Sequence, residues 1–416
     1  MDKVKINFRN KRYRDIIWSI LNTYGTSVVS FFFVIVLTRL IIPETFGLVA
    51  KYISIILVVN VIVEAGRTTN LSRKKYITNA DLDIATMWIL IRGIMAIILF
   101  NLLAIYFAHG EIESWKISLI SLIVLFSALQ SIPVMLLVRN KCFKTKATIS
   151  VFSALTSGLI SVGIALYGDA FYALVIGQLF NSILVAFLSY KYCNYNFEPK
   201  KIKIKPKRLF ASDASIFIML SNLSEKSIQA LMYNLVGAFY GLDSLGYITR
   251  AETLRNATST ALSKAVNRVS YSYNVSAFNE TNRSQLGSHL FFQLVFAIFS
   301  LPLIMLLGIF SDSVVLVLFG TNWLLVSEYL NPILCFGFVL SLITFNNAYF
   351  ISIGLLKTPF YFNTLILALI GTSYFYINYI NAVEFLWVIV FASSFVYIMS
   401  FCFLIYVSKK PIMNNG

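Results

Sequence analysis

Charge is what this chain of 416 residues has least of: Asp, Glu, Lys and Arg make up 12% of it, roughly half the share of a water-soluble domain. A large solvated surface is therefore excluded. Histidine is almost absent. His109 and His289 lie near expected membrane edges without companions, which argues against a metal site. The four cysteines (Cys142, Cys193, Cys335, Cys402) fall in cytoplasmic segments or inside spans and read as inert thiols. A Gly-rich phosphate loop is missing, since Gly237 and Gly241 read as helix-end glycines, so nothing here draws on ATP. Catalytic chemistry is poorly represented: no enzyme activity, no catalytic residue, no metal and no cofactor is expected.

What is abundant is apolar. Hydrophobic residues are 58% of the chain and the mean hydropathy is +0.78. The runs are continuous rather than alternating, which excludes a transmembrane barrel and predicts helices. A hydrocarbon core about 30 Å thick needs about 20 such residues per helix. Spans are expected near 15–41, 46–66, 85–107, 115–137, 148–167 and 171–192, then 211–240, 245–270, 288–310, 325–351, 360–380 and 385–407. The first follows a basic stretch, is too long for a signal-peptide core and lacks a small-x-small cleavage site, so it reads as a retained helix. Span 245–270 is the most polar, with Arg250, Glu252, Arg255, Asn256 and Lys264. Such a helix survives in a bilayer only where its polar face meets protein or water.

The cations set the orientation. They cluster before the first span, after the second, fourth and sixth, and after the last, whereas the opposite loops hold almost none. The positive-inside rule makes the cation-rich side cytoplasmic, with both termini inside. Topology thus accounts for the net charge of +16 without a nucleic-acid partner. Residues 196–208, with Pro199 and Pro206 among lysines, form the one clear linker. It separates an N-terminal six-helix bundle (1–195) from a C-terminal one (209–416).

The chain writes one stretch twice. Leu37–Lys51 recurs as Val236–Arg250, at an offset of 199 residues (246 minus 47). The offset places Glu44 on Asp243, Phe46 on Leu245, Gly47 on Gly246 and Lys51 on Arg250. Polar positions of the preceding helix repeat as well, with Thr23 on Asn222, Thr26 on Glu225, Ser27 on Lys226 and Ser30 on Gln229. After an even number of spans the second half enters from the same side, so the halves are expected to be parallel repeats about a central cavity.

Ions inside spans are the informative residues, because a charge at bilayer centre costs about 2.5–3.5 kcal/mol on insertion scales. Lys226 sits mid-span, on one helix face with Asn222, Gln229 and Tyr233. Glu225 is a poor partner for it, since neighbouring side chains point apart. Lys51 gains weight from its repeat mate Arg250, and the two are expected at equivalent places flanking a groove between the bundles. Arg39 and Arg92 are further cavity candidates, although each lies close enough to a membrane edge to reach headgroups. Coupling to a proton or sodium gradient needs an in-membrane carboxylate, for which Glu64 and Glu225 are the candidates.

The segments "LTRLIIPETFGLVAKY", "ITNADLDIATMWILIRG", "VRNKCFKTKATIS", "YGDAFYALVIGQL" and "LGYITRAETLRNA" resemble, in order and spacing, the O-antigen flippases of the multidrug/oligosaccharidyl-lipid/polysaccharide exporter superfamily. The resemblance covers most of the chain up to about residue 275. It implies an all-α polytopic membrane protein with about 12 transmembrane helices in two six-helix bundles around a cationic cavity. It also implies a bacterial cytoplasmic-membrane location and, as substrate, repeat-unit sugars on an undecaprenyl diphosphate carrier. Membrane lipid and polysaccharide polymerase machinery are the implied partners. One departure is in helix 7, where members carry an Asn-x-Asp-type pair and this chain has Ser227-Ile228-Gln229. Two rivals remain. A multidrug exporter of the same fold would favour an apolar, anionic cavity. A membrane glycan polymerase or ligase needs a long outer loop, and 311–324 is the longest available.

Overall fold

The computed structural model describes residues 18, 22, 24–64, 68, 71, 76–107, 113–193, 195, 213–281 and 286–408. The linker at 196–208, His109, and the cations at 3–14, 67–75 and 409–410 lie outside the described residues. Without water, every backbone N–H and C=O must be paired within its own segment, and apolar runs of this length achieve that as helices. Among the described residues there are helices and turns and no strand. The helices are α1 Tyr24–Leu40, α2 Pro43–Glu64, α3 Asn79–Phe107, α4 Ser114–Arg139, α5 Phe143–Tyr167, α6 Ala170–Tyr192, α7 Asp213–Phe239, α8 Gly241–Arg255, α9 Ala261–Thr281, α10 Leu286–Ile309, α11 Ser311–Leu318, α12 Val326–Ser352, α13 Thr358–Thr372 and α14 Ala382–Ser408. Eight of them (α2 to α6, α10, α12 and α14) are long and apolar enough to cross a membrane.

Local chemistry starts the helices where they start. Pro43 and Glu44 open α2, a proline whose missing N–H costs nothing there and an acid facing the positive helix end. Thr78 and Asp81 bond reciprocally ahead of α3, as a capping box. Asn381 and Glu384 do the same at α14, with N···O distances of 3.0 and 2.8 Å. Asp169 caps α6 by accepting from the Phe171 N–H at 2.8 Å.

Three elements differ from the sequence expectation. The polar span 245–270 is α8 running into α9 through a π turn, Asn256–Thr260, in which the Ala261 N–H bonds back to the Asn256 carbonyl. The expected span 360–380 stops at Thr372 and continues as two 3-10 turns, Ser373–Phe375 and Ile377–Tyr379. Tyr374, Phe375, Tyr376 and Tyr379 are exposed there. Such residues settle at headgroup level, yet hydropathy counts them as span. Segment 311–324, expected as an outer loop, is folded, with Val315, Phe319 and Trp323 of α11 and the following turn buried.

The described chain forms two compact units, residues up to 41 with 52–219, and residues 42–51 with 220–416. In the first unit, α5 meets α6 and α1 through small residues: a Cβ on Gly177 would land on the Ser161 hydroxyl, and one on Gly158 inside the Phe33 ring of α1. Close backbone approach through small residues is how helices associate where water is absent. Beyond α6, the Tyr195 hydroxyl donates to Asp83 Oδ1 (2.7 Å) and lies 3.2 Å from the Thr86 hydroxyl. Burial first, and then the Asp83 carboxylate, push the Tyr195 phenol well above its ordinary pKa, so it stays a donor. In the second unit, α12 is the central rod, with Leu330, Ile333, Leu334 and Phe350 fully enclosed.

Candidate functional site

The site is built from the two helix starts that repeat in sequence. A Cβ added at Gly47 would land on the Leu242 carbonyl and 3.0 Å from the Gly246 nitrogen; one added at Gly246 would land on the Pro43 carbonyl. Pro43 and Leu242 are themselves 199 positions apart (242 minus 43), so the contact is reciprocal, each glycine meeting the residue one turn ahead of the other. Only glycine lets two backbones meet this way. Trp323 closes over the crossing, its ring 5.4 Å from Phe46 and 6.1 Å from Tyr247, centroid to centroid. The Arg250 guanidinium sits 4.1 Å above the Phe46 ring, and its Nη1 is buried without a hydrogen-bond partner. Lys51, one helix over, is half-buried, and its Cδ is 3.8 Å from where a Cβ on Gly237 would stand.

Inward from the crossing, α7 and α8 share a buried polar layer. Glu252 forms an ion pair with Arg255 at 3.1 Å and accepts from Gln229 Nε2 at 3.1 Å and from the Tyr233 hydroxyl. Glu252 is 4% exposed and Arg255 8%. The Arg255 stem lies against Gly337 of α12, where a Cβ would collide with it. Gln229 and Tyr233, expected on one face of α7, are there together. Glu252 was legible as a polar residue but not as the carboxylate that the α7 face addresses.

Next along the pair comes a cluster of cations. Lys264 and Arg268 of α9 interact electrostatically with each other, and Lys264 does so with Lys226, Glu225 and Arg255 too. The π turn makes this possible. Counted at about 100° per residue, Lys264 lies about 120° around the helix from Glu252; one extra residue taken up by a π turn reduces that to about 20°. Four cations thus gather with two carboxylates, of which Glu252 is already engaged. Lys226 is 3.5 Å from Glu225 Oε1, with side-chain exposures of 41% and 40%. Adjacent residues do meet here, against expectation, because both side chains stand partly free of packing and the long lysine stem can turn back. Asn222 of the same helix is exposed.

The remaining sequence candidates lie in the first unit. Arg39 is exposed near the end of α1, and Arg92 is half-buried in α3 with its Nη1 lacking a hydrogen-bond partner. Glu64, at the end of α2, accepts from the Ser131 hydroxyl at 3.1 Å and lines a cavity of about 460 Å³. In the second unit His289 is fully buried and has companions: its Nε2 lies 3.1 Å from Asn346 Oδ1 and 3.0 Å from Gln293 Nε2. Those partners come from α12 and from one turn along α10, and they belong to an amide network rather than a ligand set. Among the described residues no group of three His, Cys, Asp or Glu is placed to hold a metal.

Residues 36–328, which contain the glycine crossing and the cation cluster, match the family described as polysaccharide biosynthesis protein. The chain belongs to that family. A relative, the succinoglycan biosynthesis transport protein ExoT of Rhizobium meliloti (strain 1021), is 25% identical over 318 residues, covering 74% of this chain. The match spans 63% of that relative's length, under two thirds. Among solved structures, the lipid II flippase MurJ in an inward closed conformation superposes with a TM-score of 0.76 at 15% identity, over 95% of this chain and 88% of that one. An inward-facing multidrug resistance MATE transporter of the MOP superfamily gives 0.69 at 12% identity, over 96% of each chain. At those identities the likeness is one of fold. Together with eight helices fit to cross a bilayer, it makes this polysaccharide biosynthesis protein a multi-pass membrane protein with a MOP-type transporter fold.

Proposed function

We propose that this family member is a flippase for a lipid-linked oligosaccharide, moving undecaprenyl-diphosphate-linked repeat units from the cytoplasmic to the outer leaflet by alternating access. The observation that carries the reading is the cation cluster, Lys226, Arg255, Lys264 and Arg268, on α7, α8 and α9 inside a membrane transporter fold. A diphosphate leaving water loses strong hydration, and charge-assisted hydrogen bonds from Lys and Arg replace it. The prenyl tail needs no such help, because it stays in hydrocarbon. A multidrug exporter of the same fold would be expected to gather carboxylates for organic cations, and the surplus here has the opposite sign.

Twelve membrane spans, both termini cytoplasmic, and a division at the 196–208 linker are part of this proposal. Coupling to an ion gradient falls to a carboxylate within the spans. Glu225 and Glu64 are available, and Glu252 is the most enclosed of the three. Chemistry on the glycan is not part of the role.

The test is leaflet accessibility. In cells lacking this chain, lipid-linked glycan should accumulate where a glycosidase added from outside cannot reach it, and re-expression should restore cleavage. Equal cleavage with and without the chain would overturn the proposal.

A further inference from the structure

Glu225 is a residue that a diphosphate site does not need. Lys264 interacts electrostatically with it as well as with Lys226, so it faces the cation cluster. A carboxylate there repels an anionic headgroup. Stability does not account for it either. Its pair with Lys226, at 3.5 Å, leaves the two side chains 41% and 40% exposed, and ion pairs that open to solvent contribute little. Glu252, by contrast, is enclosed and held by Gln229 and Tyr233. Among the described residues Glu225 has no hydrogen bond beyond its pair with Lys226, so most of its acceptor positions are open.

Asn222 shares that face of α7. Asn222, Glu225 and Lys226 stand at i, i+3 and i+4, with Cβ atoms about 5–6 Å apart. Asn222 is exposed and has no hydrogen-bond partner among the described residues. On a membrane span such an amide faces an aqueous path, because hydrocarbon offers it no partner. An acid that only accepts and an amide that both accepts and donates suit the adjacent hydroxyls of a pyranose ring. Position agrees with chemistry. The first sugar is joined to the diphosphate through a single oxygen, so cations that hold the phosphates hold the ring beside them, within a helical turn.

We propose that Asn222 and Glu225 form a saccharide subsite on α7, beside the cation cluster, and bind hydroxyls of the sugar joined to the diphosphate. The proposal rests on the flippase reading and deepens it. Lys226, Lys264 and Arg268 take the phosphates, and Lys226 gives up Glu225 as it does so. The released carboxylate turns to the sugar, and ion coupling is left to Glu64 or Glu252.

The test is equilibrium binding to the purified full chain in lipid nanodiscs, without an ion gradient. The probes are undecaprenyl diphosphate capped with a methyl group and the same carrier bearing a disaccharide, which have equal charge. The wild type should prefer the disaccharide-bearing carrier. Glu225→Gln removes a negative charge beside the phosphates, so it should tighten both carriers. The ratio of the two affinities should nevertheless fall about tenfold, for the loss of a charge-assisted bond to the sugar. Asn222→Ala should cut the ratio about fivefold, and its exposed position keeps folding out of the result. Equal affinity for both carriers in the wild type, or an unchanged ratio in either variant, overturns the subsite alone. Failure to bind either carrier overturns the flippase reading and the subsite with it. Free disaccharide binding as tightly as the linked form would overturn the subsite's tie to the carrier.

Discussion

The two stretches that are alike in sequence agree where their backbones touch and differ over the next two turns. Gly47 and Gly246 are both kept, and each meets the other copy one turn ahead of the glycine. Past the crossing the copies diverge. Glu252 and Arg255 stand at the positions of Ile53 and Ile56, and Ile56 is 2% exposed. A backbone contact cannot tolerate a Cβ, so it constrains residue identity in both copies. A helix face tolerates exchange of an apolar pair for an ion pair, provided the neighbours supply partners. Gln229, Tyr233 and the gap left by Gly337 are those partners in the second copy. The two glycines set the backbone contact, and the buried ion pair stands in the second stretch alone.

The comparison breaks first at the glycines. Gly47→Val and Gly246→Val should both cost more than the usual 1–3 kcal/mol of overpacking, because a carbonyl has no rotamer to yield. Each should deplete the protein from the membrane and lower its thermal midpoint in detergent. By contrast Gly163→Ala and Gly371→Ala, with nothing within 4 Å, should be neutral or stabilising by up to about 1 kcal/mol. Tolerance at one crossing glycine and collapse at the other would show that the contact is not equivalent in the two copies.

The ion pair gives the next effect. Arg255→Met strands the Glu252 carboxylate and should cost about 3–5 kcal/mol, and adding Glu252→Gln should recover much of it. Ile56→Ala, at the matching position, should cost about 2–5 kcal/mol as a plain cavity, and no second substitution of charge should rescue it. Rescue measured as abundance and thermal midpoint separates the two cases. At the small end, Lys226→Ala should change stability by under about 1 kcal/mol, since its pairing with Glu225 is half exposed.

Much of this was legible in the sequence, and what was not has physical reasons. The repeated turn, the α7 face and the all-helical character follow from repeat, periodicity and hydropathy, whereas the backbone contact of Gly47 and Gly246 shows only in the folded chain. The cation cluster was only half legible: Lys226 stood out on the α7 face, Lys264 only as one polar residue of its span, and Arg268 not at all. A regular helix turns those two residues away from Glu252, and no residue pattern announced the π turn that brings them round. The turns after α13 fall inside the span expected from sequence because Phe375, Ile377 and Ile380 prolong the apolar run past Thr372, and hydropathy does not mark where a helix stops. The first-unit cavity was invisible for a third reason: Ser127, Ser131 and Ser189 are ordinary small residues, and only packing brings them around Glu64.

The central claim is that the cation cluster carries an anionic headgroup, and surface glycan in a host lacking its own exporter tests it most directly. Lys226→Ala combined with Lys264→Ala should abolish surface glycan while the protein stays near its normal level in the membrane. The matched Lys-to-Arg pair should retain part of it, because charge is kept while the hydrogen-bonding geometry changes. Full export by the double alanine variant at normal abundance would contradict the account.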